Sequence, residues 1–74
     1  MSRLSFIPFC IEHYAEHISM PGNKVYELFK REGLVDFLRE DYGDLHGMGK
    51  EYLMQLIDNY LGDAVNDSLS RNNT

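Results

Sequence analysis

The chain has little cysteine, little proline and no tryptophan. A single cysteine, Cys10, excludes an internal disulfide and any zinc site built on several thiolates. No apolar run approaches the roughly 20 residues that a membrane-spanning helix needs. No basic segment followed by an apolar stretch and a small-residue cleavage site opens the chain, so no secretory leader is expected. Lys and Arg are scarce, seven against twelve Asp and Glu, which leaves a formal net charge of −5. Affinity for nucleic acid rests largely on cations placed against phosphates, so this balance argues against a general nucleic-acid binder. No stretch alternates apolar and polar residues at period two, which removes the usual signature of a half-buried strand.

What is present is enough apolar material to fold. At 43% apolar over 74 residues, the chain lies outside the low-hydrophobicity, high-charge class that stays disordered. A chain of this length is one domain at most and buries only about 60% of its unfolded surface. With no disulfide and no evident metal, its margin of stability is thin, and small domains of this kind often gain from a partner or a second copy. The expected class is a small acidic protein of the cytoplasm.

Glycine and proline divide the chain into helices. Ser5 can cap a first helix over Phe6 to Ile18, which would put Pro8 in the first turn, where its missing N–H does little harm. Ile7, Ile11, Tyr14 and Ile18 recur at helical spacing, with Phe6, Phe9 and Cys10 widening the stripe. A second helix follows the Pro21-Gly22 turn and reaches Glu32, with Val25, Leu28 and Phe29 inward. Lys30 and Arg31 suit the negative end of its dipole. Gly33 is placed as a left-handed cap. A third helix is expected from Leu34 to Tyr42. A loop around Leu45, His46 and Met48 follows, bracketed by Gly43, Gly47 and Gly49. Lys50 to Leu61 is the clearest helix, with Tyr52, Leu53, Leu56, Ile57, Tyr60 and Leu61 on one side and Gly62 as its stop. Residues 63–74 read as a frayed tail, with Ala64, Val65 and Leu69 able to add a turn. The expected fold is all-α, a small bundle of about four short helices in a single domain over residues 1–62.

Charge is unevenly spread. Glu32 to Asp67 holds nine acids and two bases, a local net of −7, whereas the residues before Glu32 carry +1 and Arg71 supplies the last +1. Such a stretch either keeps a small protein in solution or steers it onto a basic partner. The second possibility makes Asp36, Glu40, Asp41, Asp44, His46 and Asp58 candidate partner-binding residues.

Candidates for chemistry are few. His13 and His17, at i and i+4, share one side of the first helix, the spacing at which two imidazoles can meet a metal. A third ligand would have to come from His46, Asp44 or Glu16, and no His-Glu-x-x-His pattern exists. Cys10 lies within the apolar stripe, the setting of an inert thiol. Glu40, Asp41 and Asp44 precede a glycine-rich run that lacks the ligand spacing of an EF-hand loop, and Lys50 is not followed by the Ser or Thr of a phosphate-binding loop. Neither a cofactor nor a catalytic constellation is expected. Val25 to Leu38 can be read as a helix-turn-helix hinged at Gly33. Its second helix would offer Asp36, Arg39, Glu40 and Asp41, a net of −2, which is poorly suited to phosphates. The five tyrosines can each pack a ring and keep the hydroxyl at an edge or interface.

Several segments together resemble a family of short bacterial proteins known as a domain of unknown function. Phe9-Cys10-Ile11-Glu12-His13-Tyr14 resembles the family's opening Cys-Ile-Glu-x-Tyr. Gly22-Asn23-Lys24-Val25-Tyr26-Glu27-Leu28-Phe29 is similar to its second helix, with the following glycine at Gly33. Leu34 to Leu38, then Tyr42 with Leu45-His46, then Glu51-Tyr52 and Ile57-Asp58-x-Tyr60 match its later elements. Met20-Pro21 departs from the pattern, since the family more often caps its second helix with Ser. The resemblance spans about Leu4 to Leu61. It implies a non-enzymatic accessory or antitoxin-like role, because such proteins are often encoded beside other small genes, some resembling ADP-ribosyltransferase-type toxins. The partner that the resemblance implies is a protein such as the product of an adjacent gene, with a homo-oligomer as the alternative. The same resemblance marks His46 and Asp58 as recurring polar positions, the first suited to a loop hydrogen bond and the second to a bond with a neighbouring helix end.

Overall fold

The structure is a computed structural model and describes residues 2–66. Leu69 and the rest of the expected tail from 67 onward lie outside the described residues. The described part is all-α. It comprises α1 (Arg3–Ile18), α2 (Gly22–Arg31), α3 (Leu34–Glu40), α4 (Tyr42–Leu45) and α5 (Lys50–Leu61), followed by a helical turn over 63–66.

The first helix begins one turn earlier than the sequence reading placed it. Ser2, not Ser5, is its N-cap, and the Ser2 hydroxyl accepts a hydrogen bond from the Ser5 N–H at 3.2 Å. Pro8 therefore lies inside the helix rather than in its first turn. It cannot donate to the Leu4 carbonyl. That carbonyl belongs to a solvent-facing turn, with Leu4 89% exposed, so water can replace the missing donor.

The buried line of α1 also differs from the expected one. Phe6, Cys10 and Tyr14 are fully buried, whereas Ile7, Phe9, Ile11 and Ile18 pack as partly buried flanks. The cause is the position of the neighbours, because α1 packs against α2, α3 and α5 at once and its deepest line falls between them. The turn after α1 is tight: Ser19 adopts a left-handed conformation (φ 56°), and the Met20 N–H reaches back to the Ala15 carbonyl at 3.0 Å. Met20 is thereby brought into the core.

At the corner between α2 and α3, Gly33 takes φ 78°, as its placement as a left-handed cap requires. Leu28 and Phe29 enter the corner, and Leu34 and Leu38 leave it, all buried. The expected helix from Leu34 to Tyr42 is broken at Asp41 (φ −96°, ψ 14°), which ends α3 and starts α4. The break turns the Tyr42 ring edge-on to Phe6, with centroids 5.3 Å apart, and buries Leu45. The segment expected as loop thus contributes a helical turn to the core.

The fifth helix has the expected span, but its buried line is Leu53, Met54, Ile57 and Leu61. Tyr52 and Tyr60, expected inward, are 53% and 43% exposed. Ala64 and Val65 rest against the core from the 63–66 turn.

Candidate functional site

Rotation of the two buried lines brings the inner edges of α1 and α5 together, and a polar cluster forms where they meet. Tyr14 is fully buried, yet its hydroxyl donates to Asp58 Oδ1 at 2.7 Å. The other carboxylate oxygen, Oδ2, lies 2.8 Å from His17 Nε2. A carboxylate can only accept, so this contact requires the proton on Nε2. One acidic side chain on α5 therefore holds two side chains in the last turns of α1. Burial raises the Tyr14 hydroxyl well above its ordinary pKa, and the hydrogen bond to and charge of Asp58 raise it further. Tyr14 is thus a committed donor rather than a source of phenolate.

The His17 and Asp58 side chains are 42% and 44% exposed. They border a groove of about 360 Å³ between α1 and α5, lined also by His13, Lys50, Glu51 and Met54. His13 turns toward Glu16, 3.9 Å away. The third histidine is engaged elsewhere. His46 Nδ1 lies 2.8 Å from the Tyr42 carbonyl, which it meets as donor, and its ring stacks on Tyr42 at 4.4 Å. His13, His17 and His46 therefore do not converge. Among the described residues no group of three His, Cys, Asp or Glu is placed to hold a metal ion. Cys10 is buried, and its thiol is pushed up to about 12 by that burial, so it is not a poised thiolate.

The residues singled out for partner binding separate into three settings. Asp36 is exposed and accepts from Arg39 at 3.2 Å within α3. Glu40, Asp41 and Asp44 follow one another through the α3–α4 break, with Glu40 and Asp44 exposed and Asp41 half-buried. His46 and Asp58 are held by internal hydrogen bonds: a local bond to a carbonyl for His46, and bonds to two side chains near the end of α1 for Asp58. The family resemblance suited Asp58 to a bond with a neighbouring helix end, but Tyr14 as its partner escaped the sequence reading. The bond joins positions 44 apart, and no local spacing announces it.

The corner at Gly33 that motivated a helix-turn-helix reading is real, but α3 has seven residues and carries one cation, Arg39, against two acids, Asp36 and Glu40. No described helix is long and apolar enough to cross a membrane.

No curated protein and no solved structure matches the chain. A family model described as a protein of unknown function, DUF3791, matches residues 5–63, a span that includes Tyr14, His17, Asp58 and the whole α3–α4 break. The chain belongs to that family.

Proposed function

We propose that the protein is a non-enzymatic interaction module that binds a basic surface of another protein through the acidic α3–α4 break. One observation carries this reading. Glu16, Glu27, Glu32, Asp36 and Asp58 each face a cation or a histidine within 4 Å; of the acids that form no ion pair among the described residues, Glu12, Glu51 and Asp63 stand singly, whereas Glu40, Asp41 and Asp44 fall within five positions. Three unneutralised carboxylates within five positions repel one another, and a cationic partner relieves that repulsion while steering its own approach. Asp36 borders the same surface; His46 and Asp58 serve as internal ties and lie outside the proposed contact. Neither the buried Cys10 thiol nor the Tyr14 hydroxyl is an activated nucleophile. A single shielded thiol also suits a reducing cytoplasm.

The partner fits an accessory or antitoxin-like arrangement in which the product of an adjacent gene is bound. Co-expression of the two chains followed by pull-down tests this. A complex is expected, and Glu40→Lys with Asp44→Lys should abolish it without changing the far-ultraviolet circular dichroism. Failure of every neighbouring product to associate overturns the antitoxin-like version. The Gly33 corner sustains a second reading, a helix-turn-helix-like DNA-binding accessory. It requires duplex binding that weakens steeply with salt, and no binding to mixed-sequence DNA at low salt removes it.

A further inference from the structure

A second surface has the opposite character. Leu4 and Ile7 of α1, Tyr26 of α2 and Val35 of α3 line a cavity of about 280 Å³ that Arg3 and Arg39 flank. Leu4 is 89% exposed and Tyr26 45% exposed. Neither belongs to the buried line that joins α1 to its neighbours. We propose that this groove docks an acidic, apolar segment of a partner protein, one that inserts an aliphatic side chain between Leu4 and Tyr26 and sets carboxylates against the two guanidinium groups.

Charge complementarity fixes the occupant. The chain as a whole carries −5, yet no carboxylate lines this groove. Arg3 forms no ion pair among the described residues and stands over the Tyr42 ring at 5.3 Å, an arrangement that holds the guanidinium in place and leaves its N–H groups free to donate. Arg39 spends one N–H on Asp36 and keeps others. Exposed tyrosine and arginine around an aliphatic patch is the composition of a protein-binding hot spot. The cavity is smaller than the roughly 300–1,000 Å³ of typical small-molecule sites, but it suits the anchor side chains of a helix laid in a groove. The run from Glu40 to Leu45 of a second copy is a poor occupant, because its one aliphatic side chain, Leu45, is buried in its own core. The proposal goes beyond the function argued above, since both the face and the partner chemistry differ.

The test uses the full chain and two labelled peptides. One is an amphipathic helix with Leu at i, i+3, i+4 and i+7 and Glu at its polar positions; the other carries Lys in place of Glu. Fluorescence polarisation is expected to show binding of the Glu peptide, with amide shift changes in ¹⁵N spectra confined to Arg3–Ile7, Tyr26 and Val35–Arg39. Leu4→Asp should weaken binding by about tenfold or more. That change sits on an exposed first turn, where an acid suits the helix dipole, so folding is preserved. Arg3→Glu with Arg39→Glu should do the same, whereas Glu40→Lys with Asp44→Lys should not weaken it. No binding of the Glu peptide, equal binding of both peptides, shift changes elsewhere, or a dimer dispersed by Leu4→Asp would each overturn the proposal.

Discussion

Removing the carboxylate of Asp58 should cost more stability than removing the hydroxyl it binds. In Asp58→Ala the Tyr14 hydroxyl loses its acceptor while the ring stays fully buried. An unsatisfied buried polar group costs about 1–3 kcal/mol. The vacated position opens on the α1–α5 groove, so water can partly hydrate the hydroxyl, and the lower half of that range applies. Loss of the half-exposed contact with His17 adds about 0.2–1 kcal/mol after solvent screening. The total is about 2 kcal/mol. At roughly 4–8 °C per kcal/mol for a domain of this size, Tm should fall by about 8–16 °C. Tyr14→Phe leaves a carboxylate that water already reaches and should cost only about 1 kcal/mol. The double variant should cost less than the sum, with a coupling of about 1 kcal/mol in a urea-denaturation cycle. For a domain whose whole stability is about 4–11 kcal/mol these differences are readily measured. A cost below about 0.5 kcal/mol for Asp58→Ala, or strict additivity in the cycle, would refute the assignment of Asp58 as the tie between α1 and α5.

Other expectations follow from single positions. Gly33→Ala should destabilise by about 1–2 kcal/mol, because φ 78° is strained for any residue with a Cβ, while Gly47→Ala, which has open space and no such φ, should be nearly neutral. Thermal melts of the two variants compare them directly. Cys10 should resist thiol reagents in the native state and react only at the rate of global opening, so rapid labelling of the folded protein would contradict its burial. Stability should fall at high pH. The folded-state values of Cys10 and Tyr14 are both raised, so the unfolded chain releases these protons first. The loss begins near pH 9 for Cys10 and continues toward about 12, with Tyr14 joining above about pH 10. Each group contributes up to about 1.4 kcal/mol per pH unit within its window. Urea melts from pH 8 to 11 should therefore show a decline that begins later in Cys10→Ala.

The spans of α2 and α5 were legible in the sequence because glycine and proline act locally. Gly22 and Gly33 bracket one helix, and Gly49 and Gly62 the other. The start of α1 was misplaced because Pro8 was assigned to a first turn capped by Ser5, whereas the helix tolerates Pro8 on a solvent-facing turn and is capped by Ser2. The break at Asp41 has no breaker residue to signal it. It arises because Tyr42 and Leu45 reach Phe6 and the core only if the chain turns there, a tertiary demand that overrides local helix preference.

The candidate site was legible as a set of residue types but not as an arrangement. The periodicity of α1 offered Ile7, Ile11 and Ile18 as readily as Phe6 and Cys10, and that of α5 offered Tyr52 and Tyr60 and passed over Met54. Each choice differs by a small rotation of the helix. With the outer stripes inward, Asp58 would turn away from Tyr14 and its carboxylate would join the acidic surface, as its sequence setting suggested. With the inner stripes buried, the same carboxylate holds two helices together. The same rotation leaves Leu4 without a core to enter. The packing decision that sets Asp58 against Tyr14 therefore also exposes the apolar groove beside Arg3. One geometric choice accounts for both an internal polar tie and an unfilled external face, and the effects of Asp58→Ala on stability and of Leu4→Asp on peptide binding should be separable in the same protein.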